Sequence, residues 1–228
     1  MSKIYIIGIG GVGSFLSDSI NRLMRGKYEI VLVDGDRLEE KNLDRQLFSK
    51  EEIGMYKAEA MAKRLGCQHI DEYFAHGGIE LTADDVLLVC VDNMTARKAA
   101  LSSADMYGCQ AFFAANEVHS AEAYYYRPEW SGKRLDPRSY YPEILRDTSG
   151  DPRALAMGCT GVAQENNRQL VSANFMAAAL LQHLFVFWVM EATKLMEEGL
   201  DGILPNLPYQ YRAGLTGLET ILVGGQPI

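Results

Sequence analysis

A β-branched apolar run from Lys3 to Ile9 gives way to Gly8, Gly10, Gly11 and Gly13, and apolar residues then recur at helical spacing from Val12 to about Arg25. Strand, tight glycine turn and helix in that order is the local arrangement that most restricts the fold. Glycines there can do one of two things. They can make a sharp turn, or they can bring the backbone close enough to a phosphate for the first helical amides to bind it. A second apolar run, Glu29 to Val33, ends at Asp34, 21 residues after Gly13, where a carboxylate can hold ribose hydroxyls. These features suit NAD and ATP equally.

The pattern repeats along the first half. Asp85 to Val91 is a third apolar run, ending at Asp92, and helical segments are expected over Glu51 to Leu65 and Met94 to Tyr107. Strands that are apolar throughout suit a sheet covered on both faces, and strands alternating with helices imply parallel order. After Cys109 the pattern changes. Ala111 to His119 and Ala121 to Arg127 predict an antiparallel pair, and Trp130 to Met157 lacks periodicity and predicts a long mobile loop. A long helix from roughly Asn166 to Glu198 and strands near Tyr209 to Leu215 and Glu219 to Val223 complete the chain. The expected class is α/β: a Rossmann-like, mostly parallel sheet with helices on both faces, plus additional antiparallel strands in the C-terminal half. Residues 1–228 are expected to form one domain, with a nucleotide-binding half over 1–110 and a crossover loop near 130–160.

Composition narrows the function. A net charge of −8 disfavours a nucleic-acid surface, which needs clustered Lys and Arg. The longest apolar run, Phe175 to Met190, is interrupted by Gln182 and His183 and is shorter than the ~20 residues that span a bilayer. It reads as a buried helix, its stripe of Phe175, Leu180, Leu181, Leu184, Phe185, Phe187 and Trp188 facing a core or a subunit interface. The sequence enters the first strand directly, without a signal-like stretch, and a cytoplasmic protein without a membrane segment is expected. Cys67, Cys90, Cys109 and Cys159 contain no C-x-x-C pair, and reduced thiols are expected.

Beyond Asp34 the sequence continues Gly35-Asp36 and then Asn42-Leu-Asp-Arg45-Gln46. In a helical turn, positions 42, 45 and 46 share one face and present an amide, a guanidinium and a second amide. Such a face can grip polyphosphate oxygens or can simply be a solvated turn. Lys57, just beyond Gly54, adds a compact cation. Asp92 sits at the carboxyl edge of its strand, where it can contact a phosphate-bound Mg²⁺ or cap the following helix, a role Asn93 could equally fill.

Taken together, G-I-G-G-V-G at 8–13, V-D-G-D at 33–36, N-L-D-R-Q at 42–46, Lys57 and V-D-N at 91–93 resemble the adenylation signature of the ThiF/MoeB/ubiquitin-activating family. The resemblance covers Ile4 to Arg97 in order and spacing and continues to about residue 200. It implies an ATP- and Mg²⁺-dependent adenylyltransferase. In that reading Gly8, Gly10, Gly11 and Gly13 form the nucleotide turn and Asp34 holds the ribose, with Asp36 an additional acidic position. Asn42, Arg45, Gln46 and Lys57 hold the phosphates, Asp92 holds the metal, and Arg45, Lys57 and Asp92 are catalytic. The implied acceptor is the C-terminal carboxylate of a small ubiquitin-like protein with a Gly-Gly tail, and the implied assembly is a homodimer. Many members then pass the acyl group to a cysteine in the stretch occupied here by Cys159. Cys159 can be that nucleophile or a small packing residue. The sequence departs from the family where many members carry an Arg-containing segment before the first strand and paired zinc-binding C-x-x-C motifs, so a compact, zinc-free variant is expected.

Three readings compete with this one. They are a non-catalytic nucleotide-binding module, activation of a peptide or RNA-linked carboxylate, and an NAD-dependent dehydrogenase, the last leaving Asn42, Arg45, Gln46 and Lys57 without a role. Tyr124 to Tyr126 and Tyr140-Tyr141 can line a partner channel or pack, and Arg97 can lie at the surface or orient the site.

Overall fold

The computed structural model describes residues 1–116, 120–145, 171–200, 210–214 and 221–223. Strands β1 (Lys3–Ile7), β2 (Glu29–Val33), β3 (Gln68–Ile70), β4 (Val86–Val89), β5 (Gln110–Asn116), β6 (Ser120–Tyr126), β7 (Gln210–Gly214) and β8 (Ile221–Val223) form one sheet in the order β3-β2-β1-β4-β5-β6-β7-β8. The pairs from β3 through β5 are parallel, and β6, β7 and β8 are each antiparallel to the preceding strand. This is the expected mixed sheet. The expected β5–β6 antiparallel pair forms with Phe112 opposite Tyr125 and Phe113 opposite Tyr124.

Each strand is apolar throughout because each face meets its own core. On one face Ile4, Ile6, Leu32, Leu88 and Phe112 pack against helix α1 (Gly11–Met24), helix α2 (Lys57–Leu65) and the long late helix. On the other, Tyr5, Ile7, Val31, Leu87 and Phe113 meet helix α3 (Met94–Tyr107) and Ile144. Val12, Leu16, Ile20 and Met24, four residues apart, supply the buried stripe of α1.

Several boundaries depart from the sequence expectation for identifiable reasons. β1 stops at Ile7 because Gly8 takes φ +85°. The expected helix over 51–65 divides into a 3-10 turn at Lys50–Glu52 and α2, separated by Gly54 at φ +89°, which places Lys57 in the first turn of α2. β3 and a short helix α4 (Pro137–Tyr140) were not anticipated. α4 occupies the first part of the segment read as a loop, and residues 146–170 lie outside the described residues.

The late helix, α5 (Val171–Glu197), is long and apolar enough by length and composition to cross a membrane, unlike the shorter run read from the sequence. It packs along α1, β5 and β6. Leu181, Leu184 and Phe185 are buried, whereas Phe175, assigned to the same stripe, is 61% exposed and meets Phe15 edge-on. Tyr124, Tyr125 and Tyr126 are buried, and Tyr141 stacks on Tyr124, so these aromatics pack.

Candidate functional site

β1 and β4 lie side by side, and the chain leaves them toward opposite halves of the sheet. The crevice beyond their carboxyl ends is the place where open α/β sheets bind ligands. The glycine turn lies there, tightly fitted. Gly8 donates its amide to the Val33 carbonyl at 2.8 Å, and a Cβ on Gly8 would lie 2.8 Å from Val91 Cγ1. A Cβ on Gly13 would lie 1.8 Å from the Gly8 carbonyl oxygen. Gly10 caps α1 without a side-chain hydrogen bond, so the first amides of the helix are open to an anion, and Gly10 and Gly11 line the crevice.

Asp34 is buried and ties the turn to the end of β2. One carboxylate oxygen accepts from the Ile9 amide at 2.6 Å and the other from the Asp36 amide at 2.8 Å. Burial raises its pKa, opposed by Lys57 and these two amides. Asp36 accepts from Lys57 Nζ at 2.7 Å and from the Tyr73 hydroxyl at 2.6 Å. Burial pushes its carboxyl up, but these two donors outweigh it and its pKa is lowered. The Lys57 ammonium is thereby fixed at the wall of the crevice, its side chain 9% exposed.

The 42–46 segment is a helical turn, as its spacing predicts. The Asn42 carbonyl accepts from the amides of Arg45 at 3.2 Å and Gln46 at 3.0 Å. Asn42 Oδ1 accepts from the Glu39 amide at 3.0 Å, fixing the start of the turn. Asn42, Arg45 and Gln46 all line the crevice. Gln46 is buried, and its Oε1 has no hydrogen-bond partner among the described residues. An orphaned buried amide oxygen facing a polar crevice calls for a ligand or water donor.

At the far side, Asn93 rather than Asp92 caps α3, accepting from the Ala96 amide at 2.8 Å. Asp92 is exposed at the crevice. Arg97 is buried and orients this side, donating to the carbonyls of Val91 at 3.0 Å and Ala114 at 2.7 Å and to the Tyr124 hydroxyl at 3.1 Å. It ties the end of β4 to β5 and β6.

The crevice has a volume of about 710 Å³. Every predicted site residue lines it except Gly13, which shapes the turn beneath, and Cys159, which lies outside the described residues. The described thiols are poor nucleophiles: burial pushes Cys67 up to about 11 and Cys90 and Cys109 up to about 12. Among the described residues no group of three or more His, Cys, Asp or Glu could hold a metal, so a cation here would rest on Asp92 and on oxygens from a ligand and water.

Sequence reading missed Tyr73, Asn116 and Asn174. Asn174, fully buried on α5, accepts from Asn116 Nδ2 at 2.8 Å and donates to the Arg45 carbonyl at 3.2 Å. Its one sequence signal is an amide set among the small and apolar residues that open α5.

A model of the ThiF family matches residues 1–160. "Ubiquitin-like modifier-activating enzyme 5" of Aedes aegypti is 33% identical over 118 residues, covering 42% of this chain and 29% of that protein. The Culex quinquefasciatus protein of the same name is 34% identical over 118 residues, with the same coverage. The match thus spans less than a third of these relatives' length. Among solved structures, E. coli MccB with ATP superposes with a TM-score of 0.66 at 19% identity, covering 100% of this chain and 65% of that one. PaaA does so with a TM-score of 0.59 at 16% identity, covering 96% and 62%. At these identities the likeness is one of fold.

Proposed function

The chain belongs to the ThiF family, and from that premise we propose that it adenylates a carboxylate with ATP and Mg²⁺, the acceptor being the C-terminus of a small ubiquitin-like protein with a Gly-Gly tail. The observation that carries the reading is the convergence of Asn42, Arg45, Gln46 and Lys57 on the cavity that also contains the glycine turn and Asp34. A dehydrogenase has no use for that second set. The name of the curated relatives supports the choice of acceptor.

In the proposed reaction an acceptor carboxylate oxygen bonds to the α-phosphorus, the bond from that phosphorus to the bridging oxygen breaks, and pyrophosphate leaves. The carboxylate is already ionised near neutral pH, so positioning and charge neutralisation are the main requirements. Asp34 accepts from the ribose hydroxyls with its remaining lone pairs. The open amides of α1 and the side chains of Asn42, Arg45, Gln46 and Lys57 hold phosphate oxygens. Asp36 keeps Lys57 in place. Asp92 would hold a Mg²⁺, which would supply further neutralisation, and the exposed carboxylate, relieved of capping by Asn93, fits that use.

We assign any later thioester to Cys159, since burial holds the three described thiols protonated. We read residues 1–228 as one adenylation unit, located in the cytoplasm. A homodimer built on α5 is supported by its exposed Phe175, Met190 and Met196.

The test is ATP–pyrophosphate exchange with Mg²⁺ and candidate Gly-Gly proteins. Exchange in the wild type, abolished in Arg45→Ala with unchanged circular dichroism, is the expected result. ATP binding without exchange for any acceptor favours a passive nucleotide module, and preference for NADH favours a dehydrogenase.

A further inference from the structure

The cavity walls carry four carboxylates, Asp34, Asp36, Glu39 and Asp92, and four cations, Lys41, Arg45, Lys57 and Arg97. Formal charge at the walls is therefore balanced, and the cations differ in how they are held. Arg97 is buried against two backbone carbonyls and the Tyr124 hydroxyl. Lys57 is fixed 2.7 Å from Asp36 with 9% of its side chain exposed, so it meets a phosphate only from that one position.

Lys41 is placed differently. Its ammonium rests on Glu39 at 2.9 Å, and the two side chains are 69% and 60% exposed. An ion pair so open to water is weak, so replacing its carboxylate with a phosphate costs little. Glu39, by contrast, is fixed: its side chain accepts from the Asn42 amide while its own amide donates to Asn42 Oδ1. Lys41 thus sits in the 3-10 turn that leads into Asn42, beside the proposed phosphate grip and close enough to Asp36 to help lower its pKa.

We propose that Lys41 is an exchangeable phosphate ligand, resting on Glu39 in this structure and moving to the outer phosphates of a bound nucleoside triphosphate. The proposal rests on the ATP reading above and adds to it a residue outside the recognised signature. Glu39 is then a competitor for Lys41, which gives the two residues opposite effects on affinity.

Isothermal titration with ATP, ADP and AMP, with Mg²⁺ and in EDTA, tests this on the full chain. Lys41→Met should raise the Kd for ATP roughly tenfold, the effect of losing a hydrogen bond between charged groups. It should leave AMP binding unchanged, and Lys41→Arg should recover most of the loss. Glu39→Gln keeps an acceptor for the turn while removing the competing charge, and should tighten ATP binding. Wild-type ATP affinity in Lys41→Met, or an equal loss for AMP, overturns the proposal. If Arg45→Ala loses ATP while Lys41→Met does not, Lys41 alone is reassigned. A wild type that binds none of the three nucleotides overturns both readings.

Discussion

Asp36 stands between two donors, Lys57 Nζ at 2.7 Å and the Tyr73 hydroxyl at 2.6 Å, while neighbouring Asp34 is buried among backbone amides. The two carboxylates shift in opposite directions. For Asp36 the donors outweigh burial and its folded pKa is lowered; for Asp34 burial dominates and the pKa is raised. A lowered carboxyl contributes stability that is present above its unfolded pKa and lost as pH falls through the folded one. Asp34 runs the other way, since its folded state takes up a proton more readily than the unfolded chain. Asp36→Asn should therefore lower the urea midpoint near pH ~7, and the gap from wild type should narrow as the pH falls through the ordinary aspartate range toward the lowered folded pKa. Tyr73, its hydroxyl pushed up to about 12 mainly by the bond to Asp36, remains a donor throughout. A midpoint gap that is constant across this range would mean that the ion pair with Lys57 contributes nothing to the fold.

Between elements, Asn174 joins α5 to β5 through Asn116 and to the 42–46 turn through the Arg45 carbonyl. Gly11 is its counterpart on α1: a Cβ there would lie 2.4 Å from Asn174 Nδ2. Asn174→Ala removes the partner of two half-buried polar groups and should cost about 1–2 kcal/mol in urea unfolding. Because the added methyl and the amide compete for one space, Gly11→Ala should cost less in the Asn174→Ala background than in wild type. Additive costs would show that the two sites are independent. This contact also marks where sequence reading stopped. The glycine turn, Asp34 and the Asn42–Gln46 face were legible because each is set within one strand end or one helical turn. Asn174 meets Arg45 from 129 positions away, a distance no local period encodes. β3 escaped notice because it is three residues long at the sheet edge, with Gln68 and His69 polar and exposed and only Ile70 packed on the core, so no apolar run announces it. The start of α2 moved because Gly54 adopts a positive φ in a stretch whose composition favours helix.

At the scale of the molecule, strand order does the assembling. Because β1 and β4 are neighbours, the glycine turn, the Asp34–Gln46 segment, Lys57 and the Asp92–Arg97 turn all open on one crevice despite their separation in sequence. Arg97 and Asn174 extend it to β5, β6 and α5, elements that belong to the two cores on opposite faces of the sheet. A ligand that fills this crevice binds the folded chain at several remote segments at once and stabilises it in proportion to ln(1 + [L]/Kd). Hydrogen exchange should accordingly slow on adding ATP in three discontinuous stretches, the amides of 8–13, 34–46 and 92–97, with an additional effect at the start of α5 transmitted through Asn174. ADP should protect the first and third stretches and protect 34–46 less, since that turn is assigned to the outer phosphates. Protection confined to 8–13 with either nucleotide would reduce the site to a glycine-turn phosphate contact, because a triphosphate gripped by Asn42, Arg45 and Gln46 must restrain the turn that carries them.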